Sequence, residues 1–195
     1  DVFNFVQILF NTLTIKYFHL NHAPFISKDI EILKSKYVLK SKLINLSGKF
    51  SFIKGLFSQL IFTCQNLNQN IIFITQFAGY QSVIPTYIGK QLNIKNFIIL
   101  GGTDCNWLPS ISYGNYNKKL LRWATEYSLK NAYHLIPVNK ELVECDYSYT
   151  DTDFVKQGYK SFIKNIKTPY TVIPNGIDIS LYNISIQSPM QASFI

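Results

Sequence analysis

Apolar residues along the chain follow two patterns that alternate. A continuous apolar run of strand length lies at residues 71–75, and short, mostly apolar segments of similar length lie at residues 15–20, 37–39, 96–100, 133–138 and 170–173. A strand that is buried on both faces reads as such a run, because neither face needs polar side chains. We therefore predict a β-strand at each of them.

Longer stretches with helical spacing separate these runs. They cover residues 49–64, 79–92 and 116–131, and a shorter helix is predicted to begin at Ser27 as its N-cap. In the first of them the apolar residues recur every three or four positions, at Phe50, Ile53, Phe57, Leu60, Ile61 and Cys64. The stretch is one amphipathic helix.

Strands that alternate with helices need crossover connections, and right-handed crossovers place the strands parallel with helices on both faces. The predicted fold is therefore a doubly wound, mostly parallel Rossmann-like α/β domain of roughly five to seven strands. We assign the domain to residues 15–182, with an N-terminal extension at 1–14 and a linker or truncated tail at 183–195.

The charge pattern narrows the choice of partners. The chain has a net charge of +8, and its one arginine is Arg122. The guanidinium group, which forms paired hydrogen bonds with nucleic-acid bases, is therefore nearly absent. We expect no nucleic-acid partner, and a lysine-rich surface favours phosphorylated substrates or an anionic membrane leaflet. Cys64, Cys105 and Cys145 have no metal-ligand spacing, so we expect a reducing cytoplasmic setting and no metal site.

Several enzyme signatures are missing from the sequence. It contains no G-x-G-x-x-G after the first strand, no G-x-x-x-x-G-K-[ST] and no G-x-S-x-G. These absences argue against a nicotinamide cofactor, a P-loop and a serine-hydrolase elbow.

Polar residues and glycines follow the predicted strands, where a doubly wound sheet binds its ligands. The substrate-binding candidates are His22, Gln76, Gly79, Tyr80, Gly101, Gly102 and Asp104. Paired glycines allow close backbone approach to a ligand, and a carboxylate accepts hydrogen bonds from hydroxyl groups. The alternative for Asp104 is that it only caps its own loop.

One motif near the end of the sequence resembles a known family. Residues 172–178 read V-I-P-N-G-I-D, similar to the V-I-P-N-G-[IV]-D signature of the retaining GT-B glycosyltransferases of family 4. Residues 123–138 resemble the helix and strand that precede it in that family, 101–104 its H-G-x-D turn, and 25–33 its F-x-x-K-D-I-E-x-L helix start. The order and spacing agree from about residue 15 to 182.

This resemblance covers only the N-terminal, acceptor-side half of such an enzyme. It implies transfer of a hexose from a nucleotide-sugar, used as a substrate with no further cofactor, to a saccharide or lipid-linked acceptor. The donor would be held mainly by a C-terminal Rossmann domain, and Asn175, Gly176 and Asp178 would shape the hinge between the halves, with Asn175-Gly176 giving positive φ. Gln76 and Gly101 stand where many members have histidine, so no catalytic role is assigned.

Three interpretations stay open at this point. The chain is an incomplete piece of such an enzyme, a non-catalytic subunit of a split enzyme that pairs with a separate donor-binding chain, or a truncated product without activity. Helix 49–64, with lysines around it, is either a core-facing helix with solvated lysines or an anchor for peripheral attachment to the inner face of the membrane.

Overall fold

A computed structural model describes residues 13–67, 70–147, 150–154 and 156–176. Its centre is a parallel five-stranded sheet with the order β2-β1-β3-β4-β5. The strands are β1 (Thr14–His19), β2 (Val38–Leu43), β3 (Ile71–Gln76), β4 (Asn96–Leu100) and β5 (His134–Pro137). The predicted α/β fold is confirmed.

Helices connect the strands and flank the sheet. They are α1 (Pro24–Lys34), α2 (Lys49–Cys64), α3 (Tyr80–Leu92), α4 (Lys119–Asn131) and the short α5 (Tyr159–Phe162). Between β5 and α5 the chain forms a small separate antiparallel pair, β6 (Cys145–Asp146) and β7 (Lys156–Gln157).

Strand β1 is buried along almost its whole length, including its polar residues Lys16 and His19. Five consecutive residues are buried, because helices cover both faces. Phe18 packs edge-on against Phe62 of α2, with 5.5 Å between ring centroids. The Tyr17 hydroxyl points the other way and donates to the Asp29 carboxylate of α1 at 3.2 Å. The two helices therefore lie on opposite faces of the sheet.

Two predictions about helices are wrong. Helix α1 begins at Pro24 with Ala23 as its N-cap, so Ser27 lies inside the first turn. Proline is well suited to the first helical position because the amide hydrogen that it lacks has no partner there. Helix α2 has the predicted bounds, but its apolar stripe faces outward and the buried residues are Gln59 and Thr63. The core-facing interpretation of that stripe is therefore incorrect.

The long polar loop between β4 and α4 is fixed at two points. The backbone amide of Trp107 donates to the side-chain oxygen of Gln157 at 2.9 Å. The side-chain nitrogen of Gln157 donates in turn to the backbone carbonyl of Trp107 at 3.0 Å. Asp153 accepts the Ser110 hydroxyl at 2.7 Å and the Ser110 amide at 3.0 Å. The loop that carries Gly101, Gly102 and Asp104 is thereby tied to residues 43 and 50 positions further along the chain.

The predicted last strand pairs with β5. The amide of Thr171 donates to the Leu135 carbonyl at 3.0 Å, and the amide of Ile173 donates to the Pro137 carbonyl at 3.0 Å. A parallel bridge joins Leu135 to Tyr170. The segment therefore extends the sheet beyond β5 and runs toward the same edge as the other strands.

Candidate functional site

The loops that leave β3 and β4 are joined by Asp104. Its side chain is completely buried; Oδ2 accepts the Ala78 amide at 2.8 Å and Oδ1 accepts the Gly101 amide at 3.0 Å. The Asp104 carbonyl in turn accepts the Tyr116 hydroxyl at 3.1 Å. One carboxylate thus fixes two loops at the carboxyl edge of the sheet, hereafter the carboxyl rim.

Burial also sets the ionisation of Asp104. Loss of solvent raises the pKa of this carboxyl to about 7, while the hydrogen bonds from the Ala78 and Gly101 amides act in the opposite direction. With both oxygens engaged and none exposed, the side chain positions the rim without contacting a ligand. The interpretation of Asp104 as a loop cap agrees with this geometry.

The paired glycines make room for the protein's own side chains. A Cβ at Gly101 would lie 2.2 Å from the Phe77 ring, and one at Gly102 would lie 2.3 Å from the Tyr113 hydroxyl. Phe77 itself has a φ of 62°, which is uncommon for a bulky residue. A side chain at either position would displace one of these aromatic groups, so the glycines leave room for the rings that cover this part of the rim.

Gln76 belongs to a buried hydrogen-bond group rather than to an open surface. Its side-chain oxygen accepts the Tyr17 hydroxyl at 2.8 Å, and the same hydroxyl lies 3.2 Å from the Asp29 carboxylate. Burial raises the pKa of Tyr17, and the nearby Asp29 adds to that increase. Burial raises the pKa of Asp29 as well, against the hydrogen bond from Tyr17. The group links β1, β3 and α1 just beneath the rim.

His22 is exposed on the loop after β1. Its ring lies 5.3 Å from that of His19, which is buried at the end of β1 and bonds the Asn21 carbonyl through Nδ1 at 2.7 Å. Burial lowers the pKa of His19. His19 is thus a structural residue, whereas His22 can reach a ligand.

Gly79 and Tyr80 begin α3. The Gly79 amide donates to the Ser82 hydroxyl at 2.9 Å, which satisfies one of the free amides at the helix start. The Tyr80 ring packs edge-on against Phe52 of α2, with centroids 5.1 Å apart. Gly79 therefore caps α3, and Tyr80 joins α3 to α2.

The predicted hinge lies at the end of the described chain. Asn175 and Gly176 are exposed and follow directly on the segment that pairs with β5. Neither residue has a φ in the left-handed region, so the prediction of positive φ at this bend is wrong. Asp178, like the predicted tail at 183–195, lies outside the described residues.

The rim also contains aromatic residues that sequence reasoning missed. The Phe25 ring, 36% exposed, lies 6.0 Å from that of Phe77, and half-buried Tyr113 covers Gly102. Burial raises the pKa of Tyr113, with a further increase from Asp104, so its hydroxyl stays protonated as a donor. The resemblance at 25–33 includes Phe25, and Phe77 follows the predicted strand 71–75 without being chosen as a candidate, whereas no local signal identifies Tyr113.

Two cavities differ in what they offer. One of about 390 Å³ opens at the ends of β1 and β2 on the carboxyl side and is lined by Leu20, Leu43, Ile44, Asn45, Leu46 and Ser47. Another of about 630 Å³ lies at the amino edge near Leu92 and Lys95. The larger cavity is remote from every predicted site residue, and the smaller one adjoins the loop that carries His22.

Comparison of the chain with protein-family models, with curated proteins and with solved structures finds no match. Within the described residues, no group of three or more histidine, cysteine, aspartate or glutamate side chains is placed to hold a metal ion. None of the described helices combines the length and apolar character needed to cross a bilayer.

Proposed function

We propose that this chain is the acceptor-binding half of a retaining glycosyltransferase of the GT-B type. It would position a saccharide or lipid-linked acceptor at the carboxyl rim while a nucleotide-sugar, held by a second Rossmann domain, donates a hexose. The second domain would act in the same chain or as a separate subunit. By itself the chain would transfer no sugar.

The observation that carries this proposal is the path of residues 169–176. The V-I-P-N-G motif continues the sheet beside β5, and its Asn175 and Gly176 are exposed beyond the carboxyl end of that strand. A chain that crosses to a second domain from this point would place that domain opposite the loops of β1, β3 and β4. Ligands of doubly wound sheets bind at this edge.

The rim offers the contacts that an acceptor sugar needs. His22 provides a ring nitrogen and Tyr113 a hydroxyl, and the Phe25 and Phe77 rings provide an apolar surface for the face of a sugar ring. Asp104 fixes the loops beneath them, so that the acceptor would be held in one orientation. Leaving-group stabilisation would come from the donor half.

Calorimetric titration separates the acceptor half from a nucleotide-binding domain. With UDP-, GDP- and ADP-sugars we expect no measurable heat of binding to this chain alone, because its strand ends carry no phosphate-binding loop. Addition of a cognate donor-binding half should restore both nucleotide binding and sugar transfer. Tight binding of a nucleotide-sugar to the chain alone would contradict the proposed placement of the donor.

A further inference from the structure

The outward surface of α2 is apolar. Phe50 is 92% exposed, Ile53 69% and Phe57 64%, and Leu60 and Ile61 are 41% and 44% exposed. Their spacing of three or four residues places these five side chains, hereafter the α2 outer face, along one stripe. Single exposed apolar residues are ordinary, but a continuous stripe of this kind marks an interaction site.

The opposite side of α2 is firmly held. Gln59 donates to the Gln81 carbonyl of α3, and Phe62 packs on Phe18 of β1. The Lys16 ammonium group, buried in β1, donates to the Phe62 carbonyl at 2.9 Å in the last turn of the helix. The position of α2 is thus fixed by polar and apolar contacts, and its outer face is a surface that the fold presents.

Lysines surround the α2 outer face. Lys16 and Phe18 of β1 contact α2, and their register partners on β2 are Lys40 and Lys42. Lys40 and Lys42 therefore lie on the side of the sheet that α2 covers. Lys42 and Lys54 share a groove of about 250 Å³ with members of the outer face, Phe57 and Ile61. Lys49 is exposed at the start of the helix.

The chain segments that form this surface supply no acidic side chain. The sequence from residue 32 to 103, which includes β2, α2 and their connections, contains no aspartate and no glutamate. An apolar stripe flanked by lysines is complementary to a lipid bilayer with an apolar interior and anionic head groups.

We propose that the α2 outer face docks on an anionic lipid bilayer. Helix α2 would lie in the plane of the interface, with Phe50, Ile53 and Phe57 among the acyl chains and the lysines against lipid phosphates. The groove between Lys42 and Lys54 has room for one phosphate head group beside the inserted rings. This proposal does not rest on the proposed function, since it depends only on α2 and its surroundings.

The charge pattern disfavours a second copy of the chain as the occupant. A two-fold interface would bring the α2 outer face against itself, together with Lys42, Lys49 and Lys54 of both copies. Residues 32–103 supply no acidic side chain to pair with these lysines, so this arrangement would place like charges together and weaken the association.

Vesicle co-sedimentation of the full chain tests the proposal. We expect binding to mixed phosphatidylglycerol and phosphatidylcholine vesicles at low salt, and little binding to phosphatidylcholine alone. The variant K42Q/K54Q should bind the anionic vesicles about 30-fold more weakly, since each lysine near the surface contributes about fivefold. The variant F50S/F57S, which changes only exposed side chains, should lose about tenfold or more.

Matched controls distinguish this surface from general attraction of a basic protein. K164Q/K167Q removes the same charge from two exposed lysines remote from α2, and I32S removes a half-exposed apolar side chain from α1 on the opposite face. Both should bind as the wild type does. Equal loss in the controls, or undiminished binding of F50S/F57S, would overturn the proposal.

A native thiol reports the same contact. Cys64 is exposed in the last turn of α2, so a polarity-sensitive dye on Cys64 in a C145S background should shift to the blue only when anionic vesicles are added. A blue-shifted dye in buffer alone, or a dimer in light scattering that F50S/F57S dissociates, would show that protein already covers this face and would refute membrane docking.

Discussion

Replacement of Asp104 by alanine should lower the free energy of unfolding by about 3–5 kcal/mol, because two buried amides lose their acceptor at once. The affected amides are those of Ala78 and Gly101, which Asp104 joins across the rim. Chemical denaturation measures the change. The matched control D151A removes an exposed carboxylate and should cost less than about 0.5 kcal/mol.

The pH dependence of stability gives a second measure of the same group. Burial raises the pKa of Asp104 to about 7, above its ordinary value, so the folded state holds a proton that the unfolded state releases. Its contribution is complete below about pH 4 and declines as the pH rises to about 7. The stability of the wild type relative to D104N should therefore decrease over this interval, and a constant difference would contradict the assignment.

The second large effect is expected at Lys16, a lysine buried on β1, between β2 and β3. Its ammonium group donates to the carbonyls of Phe62 and Thr63 at 2.9 and 3.0 Å and also to that of Gln65. These carbonyls lie at the end of α2 and have no partner within the helix. K16M should therefore lower the free energy of unfolding by about 2–4 kcal/mol, because it leaves several acceptors unsatisfied.

Hydrogen exchange identifies where the stability is lost in K16M. In K16M the amides in the last turn of α2 should exchange faster than in the wild type, and this increase should exceed any increase in α4. The reason is that Lys16 bonds the carbonyl groups at the end of α2. Lys40 is the matched control: it pairs in register with Lys16 on β2 but is exposed, and K40M should change stability by less than about 0.5 kcal/mol. Equal effects of K16M and K40M would show that the buried ammonium group does not stabilise α2.

The parts of the fold that follow from local patterns were predictable. The bounds of β4 and α2 match the sequence prediction, because a continuous apolar run and a helical period each leave few alternatives. The helical spacing of apolar residues does not by itself predict which side of a helix packs against the sheet. The polar residues Gln59 and Thr63 are buried in α2 because Gln59 bonds α3 and Thr63 bonds back to Gln59, so the apolar stripe remains outside.

The location of the candidate site was predictable from the sequence, but the role of each of its residues was not. Gln76 ends β3, and Gly101 and Asp104 follow β4, so their proximity is a consequence of two parallel strands that end at one edge. That Asp104 is used to hold Ala78, 26 residues earlier, depends on tertiary packing that no local motif encodes. Phe77 adopts a left-handed backbone conformation and its ring lies next to Gly101, and no local motif encodes either feature.

The most direct test of the acceptor-binding role is a nuclear magnetic resonance titration of the full chain with methyl glycosides of glucose, galactose, mannose and N-acetylglucosamine. At least one glycoside should shift the resonances of His22, Phe77, Gly102 and Tyr113, which face the carboxyl rim, and leave those near Leu92 and Lys95 unchanged. Shifts confined to the amino edge, or the absence of any shift at millimolar sugar, would contradict an acceptor site at the rim.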